Sequence, residues 1–546
     1  MGTTVTVQRN FFATENGENM ATDIFDREHR FALEDLYSGE GKSRVESEVI
    51  LPDYKEAAQR ILRVDCKSRV NSKNIYPGSN QLICEVEGVC NLYLLYFSEL
   101  KGDHGIPCSF SVQEPFSYTF KIPTKGESRS PEELAAILEI RTENLSHMLL
   151  GPRKIAIRSD LSLTLNIKHN APFDYYSDTF PKDICTKTVP ISAARLLETY
   201  SEEMNFSETI SLPKASLAIG EISEMEVELF AHRIIPTEGG IRLQGSCDVH
   251  CNYTAQDEES FVSFYQPIDF ERNLGIASCS QSSFCEVFLT PNFMKATTDI
   301  NEEGENKNIL FEIGCTAEVF VFENQRFDVA TDLFSTESFL ETERAEISLE
   351  EIALKNEFCI PYKNSVSFRE KGIVRAEAIR CRADFQNAYQ EGEGISIEGK
   401  LFYRFLGVKE SGEILHCEDS CDFKANLKAD FGKKDEVFED FRIEINGGVR
   451  GFDLDPREDQ LDLRCELCGQ MTLFLRRKER LISSVSRGEK KLKDRSSLIF
   501  YYPEKGEDVW SVSKKFSVSP QKLCRENGIA EDKLPRVIRM MPWKDE

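Results

Sequence analysis

Ile83-Cys-Glu-Val-Glu-Gly88-Val-Cys-Asn-Leu-Tyr-Leu-Leu-Tyr96 decides the architecture, because the chain returns to it twice. Ile241-Arg-Leu-Gln-Gly245 leads into Ser-Cys-Asp-Val-His-Cys-Asn-Tyr253, and Ile395-Ser-Ile-Glu-Gly399 leads into Lys-Leu-Phe-Tyr-Arg-Phe405. The glycines stand 157 and then 154 residues apart; the first two copies keep Tyr eight positions after Gly, and the third has Gly407 there. A second landmark keeps nearly the same step. Leu161 to Phe180 aligns without a gap on Cys315 to Phe334, with Asp178 falling 154 residues before Asp332. A third copy, Gly469 to Leu481, keeps the strand pattern and loses the Asp. Two landmarks in one register mark an internal repeat.

These segments alternate apolar and polar residues, are rich in Val, Ile, Phe and Tyr, and are bounded by Gly, Pro and Asn, the pattern of half-buried antiparallel strands. The expected fold is mainly β: three tandem antiparallel β-sandwich-like repeats, then a small α+β module. Helical periodicity before the end module is sparse. Its best short candidate is Pro190 to Tyr200, which equally reads as a linker turn. Polar stretches near 200–208 and 354–364 read as joins. The expected division is an N-terminal extension over 1–44, repeats over 45–204, 205–358 and 359–498, and an end module over 499–543.

With 546 residues, 40% of them hydrophobic, the chain holds several packed domains. Its net charge of −26 argues against nucleic acid or an anionic membrane as the partner. No apolar run reaches the roughly 18 residues of a membrane span, so direct membrane insertion is not expected. The first residues lack the basic start and apolar segment of a secretory signal, and a cytoplasmic location is the expectation. The 17 cysteines then read as thiols serving as small apolar residues in strands. Arg476 to Arg495 is locally basic. It reads as a solvated strand edge and linker, with a contact surface for an acidic partner as the sharper alternative.

No catalytic motif stands out among the seven histidines, and the P-loop, nucleophile-elbow and zincin patterns are absent. Cys465 and Cys468 form a lone CxxC whose members point to opposite faces of a strand. Zinc needs about four ligands; a second pair would come from Cys247 with His250 and Cys251, or from Cys417 and Cys421 with His416, yet Cys247 and Cys251 lie on one strand face and read as a core face. No catalytic residue, cofactor or metal is expected. The acidic stretches at Glu391 to Glu393 and Asp299 to Glu303 read as solvated loops lacking the ligand spacing of a calcium site.

The end of the chain carries Tyr501, Gly506, Glu507, Asp508, Val509 and Trp510, then Val512, Phe516 and Val518 at helical spacing. Asp508 reads as a helix N-cap. A second helix is expected over Pro520 to Glu526, followed by Asn527 and Ile529, and a last strand over Val537 to Met541 closed by Pro542. These residues resemble a LysM domain, although Leu534-Pro-Arg536 replaces the usual Leu-x-x-Gly turn. Trp510 reads as a core residue of this small unit. Upstream, Val45 to Tyr54 with Ile61 to Asp65, the strand around Gly88, and Gln113-Glu-Pro115-Phe116 resemble SPOCS-type repeats; Gln266-Pro267-Ile268 is a weak echo in the second copy.

The layout of both parts is similar to that of endospore coat morphogenetic proteins. That resemblance implies a non-catalytic scaffold on the mother-cell side of the forespore, docking through the LysM-like module on coat morphogenetic proteins, a coat base ATPase among them. Asp508, Trp510, Lys514, Lys515, Arg525 and Asn527 are the candidate partner-binding residues. The alternative is an envelope protein whose module binds peptidoglycan.

Overall fold

The computed structural model describes residues 25–98, 107–123, 133–256, 261–392, 394–428, 440–457, 460–491, 498–529 and 534–540. Among them, every regular element before residue 499 is a strand. Unit 1 runs β1 (Glu28–Ile50), β2 (Ala58–Pro77), β3 (Gln81–Ser98), β4 (Cys108–Pro123), β5 (Leu134–Gly151) and β6 (Lys154–Tyr175). They form two antiparallel three-stranded sheets, ordered β1-β6-β5 and β2-β3-β4.

Unit 2 repeats the order with β7 (Ile184–Ser211), β8 (Ile219–Thr237), β9 (Gly240–Ala255), β10 (Phe261–Gly275), β11 (Phe284–Ile300) and β12 (Asn306–Ser335). Unit 3 does so with β13 (Ser338–Ser367), β14 (Ile373–Glu391), β15 (Gly394–Lys409), β16 (Ile414–Lys428), β17 (Phe441–Arg457) and β18 (Gln460–Lys490). The end module follows as β19 (Ile499–Tyr501), α1 (Val509–Phe516), α2 (Pro520–Asn527) and β20 (Ile538–Met540).

The repeated glycines sit at one place in each unit, on the central strands β3, β9 and β15. They pair across the sheet with Phe116, Phe270 and Phe423. A Cβ on any of the three would collide with that ring and with a carbonyl oxygen of the other neighbouring strand, from Arg69, Phe230 or Asp384. Glycine is what lets the ring lie flat across the strand. The tyrosine eight residues on makes the same bond in both units that keep it. Tyr96 donates its hydroxyl to the Glu56 carbonyl at 3.0 Å, and Tyr253 to that of Leu217 at 3.0 Å. In unit 3 the Ile373 side chain lies against Gly407 instead.

The first strand of each unit also carries the same one-residue bulge, between Asp35 and Tyr37, Leu196 and Glu198, and Ile352 and Leu354.

Several expected limits shift. The joins expected at 200–208 and 354–364 lie inside β7 and β13, and Pro190 to Tyr200 is strand, not helix. The breaks between units fall at Tyr175–Ile184 and Ser335–Ser338, about twenty residues earlier than expected. Residues 28–44 of the expected extension begin β1, and residues 1–24 lie outside the described residues. Long pairing explains the difference. β7 and β13 are held along their length by β12 and β18, so polar alternation there marks a strand with one wet face rather than a linker.

The two sheets of unit 1 pack over one core that takes Val45 and Leu163 from one sheet and Leu92 and Phe120 from the other. Further clusters join the units. Ala32, Tyr175, Ile191, Phe327, Leu349 and Leu481 come from all three, and so do Leu33, Leu196, Phe322, Ile352 and Phe474. β1, β7 and β13 touch one another pairwise, so the units close around a common axis. Two equivalent clasps hold neighbours together at the bulges. Asn170 donates to the Leu196 carbonyl at 2.7 Å and accepts from its N–H at 2.9 Å. Asn324 does the same to Ile352 at 2.8 and 3.0 Å.

Candidate docking site: the end module and the charged axis

The pseudo-symmetry brings β2, β8 and β14 together with charged side chains on facing positions. By strand pairing, Asp65, Glu226 and Arg380 are equivalent, as are Lys67, Glu228 and Arg382. The repeats thus supply opposite charges at matched places. Arg63 reaches Glu224 at 2.7 Å and Asp65 at 2.8 Å, Arg380 reaches Glu226 at 2.7 Å, Arg404 reaches Asp65 at 2.8 Å, and Lys67 also pairs with Glu226.

Burial would raise the Glu224 carboxyl, but Arg63 and Arg380 outweigh it and hold it below its ordinary value. Glu228 has the opposite balance. Burial, reinforced by the charge of Glu226, pushes it up to about 7. It faces a cavity of about 360 Å³ at the junction of the three units, lined also by Leu138, Val287, Arg382 and Gly447. Burial pushes His250 down to about 4, with Arg380 acting in the same direction. The network's evident work is mutual neutralisation between units. It escaped sequence reading, although Arg63-Val-Asp65 and Glu224-Met-Glu226-Val-Glu228 put charges at every other position, each at the same place in its repeat.

The cysteines divide differently from expectation. Cys359 and Cys468, opposite one another on β13 and β18, are joined in a disulfide, which corrects the reading of all 17 as thiols. Cys465 turns the other way, into the core of unit 3, as its strand position requires. Among the described residues, Cys359, Glu466 and Cys468 are the one group whose ligand atoms lie close together, but the disulfide leaves neither sulfur as the thiolate that would hold a metal ion. Cys247 and Cys251 are buried, apart from any such group.

In the end module, β19 and β20 pair antiparallel, and α1 and α2 cover one face over Val509, Val512, Val518, Leu523, Ile538 and Met540. Asp508 caps α1 as expected: its carboxylate accepts the Ser511 N–H at 2.7 Å, and the Ser511 hydroxyl accepts the Asp508 N–H at 2.9 Å. Gly528, with φ of +61°, ends α2 in the left-handed conformation that favours glycine. The expected second helix extends one residue, to Asn527; of the expected last strand, Ile538 to Met540 is strand, while Met541 and Pro542 lie outside the described residues.

Trp510 departs from expectation. It lies outside the module's core and reaches across to unit 2, where Nε1 donates to Asp332 at 2.8 Å and the ring meets Phe334 edge-on at 5.1 Å. Lys514 binds both oxygens of the same carboxylate, at 2.6 and 2.8 Å. Lys187 stands 3.5 Å from Asp508, and Lys491 donates to the Ser517 hydroxyl at 2.7 Å. Lys515 instead serves the module itself, donating to the Tyr501 hydroxyl at 2.7 Å beside Glu507. Asn527 pairs its amide with the backbone of Arg539 in both directions, at 2.8 and 2.7 Å. Arg525 is exposed at the end of α2.

Thus, of the six candidate residues, three hold the module to unit 2, two brace it internally, and Arg525 is the one on its outer surface. Comparison with known family models, characterised proteins and solved structures finds no match.

Proposed function

We propose that this chain is a non-catalytic scaffold in endospore coat assembly, docking on a coat base protein at the forespore surface through its end module. In this reading each pair of sheets is a SPOCS-type sandwich and β19-α1-α2-β20 is a LysM-like module. The observation that carries it is the mounting of that module. Trp510 and Lys514 converge on Asp332, so the module is held at a fixed place on a body whose units share their cores. A fixed presenting group on a rigid body is what a scaffold needs, because ordering costs are met before the partner arrives.

The test is direct binding of the full chain to a purified coat base ATPase, with localisation of a fluorescent fusion in sporulating cells. Arg525→Glu should weaken the binding without unfolding the module, since an exposed substitution costs little stability. Unchanged binding and localisation in that variant would remove Arg525 from the docking face. Diffuse localisation of the wild type would refute the assignment.

Exposed Phe500 and Tyr502 favour one second reading, because aromatic faces stack on sugar rings. A peptidoglycan-binding envelope protein would be retained on purified peptidoglycan and lose that retention in Phe500→Ser.

A further inference from the structure

Cys359 and Cys468 stand directly opposite each other on β13 and β18, and Glu466, two residues before Cys468, shares their face of the sheet. The Cys359 sulfur lies 3.6 Å from the Glu466 carboxylate, and one ligand atom from each of the three residues falls within 4.8 Å of the other two. Glu466 is exposed and takes part in no ion pair among the described residues. The repeats show that the fold does not require this group. The paired positions of Cys359 and Cys468 hold Lys42 and Ser162 in unit 1, and Glu203 and Thr316 in unit 2. The position of Glu466 holds Asp160 and Gly314.

A fourth donor comes from unit 2. On β17, Gly448 pairs with Cys468, and a Cβ there would meet the Phe230 ring at 2.9 Å, so β8 crosses the face that carries the two cysteines. His232 follows on β8 at a bulge between Ala231 and Arg233, its ring stacked on Phe230 with 6.5 Å between centroids. Its Nε2 is buried and has no hydrogen-bond partner among the described residues, which leaves a polar atom in need of one. Burial pulls the His232 pKa down; Arg450 acts in the same direction, and the carboxylates of Asp248, Asp269 and Glu466 oppose it. The ring is therefore neutral near pH 7, the form that binds a metal, and Glu466 stands near enough to act on it. Arg450, opposite Glu466 on β17, is engaged by Asp248 at 3.4 Å and Asp269 at 3.6 Å.

We propose that Cys359, Cys468, Glu466 and His232 form a Zn2+ site when the Cys359–Cys468 disulfide is reduced. The same two sulfurs then serve either as a disulfide within unit 3 or as zinc ligands that tie unit 3 to unit 2. Two thiolates, an imidazole and a carboxylate are a four-donor set suited to tetrahedral zinc. A dithiol supplies the two electrons and two protons that open the S–S bond, and closes to a disulfide of its own; Zn2+ then displaces both thiol protons to solvent. Hydrogen peroxide reverses the exchange. The two thiolates give up two electrons and join, peroxide and two protons become two waters, and Zn2+ leaves. The inference stands or falls independently of any coat partner.

Equilibrium dialysis of the full chain against Zn2+, followed by elemental analysis, reads the site. Chain reduced with a water-soluble phosphine should hold one zinc ion, and the oxidised chain none. Cys359→Ser, at an exposed position, should abolish stoichiometric zinc. Glu466→Gln and His232→Gln should each weaken binding at least about tenfold, no less than the loss of an outer-shell partner costs; circular dichroism checks the fold of every variant. Co2+ in place of zinc should give the reduced chain the intense visible absorption of a tetrahedral thiolate site, and hydrogen peroxide should bleach it as the metal leaves. Zinc should also raise the melting temperature of the reduced wild type, but not of the oxidised chain or of Cys359→Ser. A reduced wild type without stoichiometric zinc, zinc held equally by the oxidised chain, or adventitious binding that Cys359→Ser and His232→Gln leave unchanged would overturn the proposal.

Discussion

Asp332 receives Trp510 and Lys514 from the end module and Arg344 from β13. Burial would raise its carboxyl, but the hydrogen bonds from Lys514 and Trp510 outweigh burial and hold it below its ordinary value. A carboxyl depressed by folding stabilises above its unfolded value, and that contribution is lost as pH falls through the lowered one. Asp332→Asn should therefore loosen the module at neutral pH and remove the acid-side dependence of its docking. Hydrogen exchange should speed in α1 and the end of β12, with β3, β9 and β15 unchanged; an unchanged α1 would count against Asp332 as the anchor. Glu228 has the opposite sign. Its carboxyl is raised to about 7, so the folded chain binds the proton more tightly than the unfolded one, and stability falls as pH rises from the ordinary carboxylate range through 7. Glu228→Gln should flatten that fall and raise stability by about 1–3 kcal/mol above pH 7. A melting-temperature series from pH 5 to 8 reads it.

At the scale of elements, Gly88 and Gly245 were visible in the sequence as a period, and the structure gives the period its cause. Adding a methyl group drives it into an aromatic ring and a carbonyl oxygen at once, so Gly88→Ala and Gly245→Ala should each cost about 1–3 kcal/mol. Gly275, where an added Cβ would meet no atom within 4 Å, is the control: Gly275→Ala should change stability by less than about 1 kcal/mol. Denaturant midpoints that fail to separate the two groups would mean the rings move aside. Strand type was legible because alternation is local. Strand ends were not, because nothing within β7 or β13 marks where pairing stops; β12 and β18 set that limit from 93 to 152 residues away. The Asp508 cap was legible for the same local reason. The true place of Trp510 was not, since its partner lies 178 residues upstream.

Across the whole molecule, the repeat suggests three separable domains, and the packing argues otherwise. Ala32, Ile191, Phe327, Leu349 and Leu481 form one cluster drawn from three units, and the ionic contacts of Asp65, Glu224 and Arg380 cross between units as well. Removing one unit would strip partners from buried charges in the others, and breaking a buried ion pair by removing one member costs about 3–5 kcal/mol. Against the roughly 5–15 kcal/mol by which a domain is stable, two such losses leave little. The three units should therefore melt together, in one calorimetric transition whose enthalpy matches the combined body rather than a third of it. Residues 184–335 expressed alone should fail to fold, even though they span all six strands of unit 2. Arg63→Ala, which takes one cationic partner from each of the buried Asp65 and Glu224, should lower the melting temperature of the whole body together rather than split unit 1 from the rest. Three resolved transitions, or a folded and soluble unit 2 in isolation, would show that the shared cores are contacts between finished domains and that the axis contributes little.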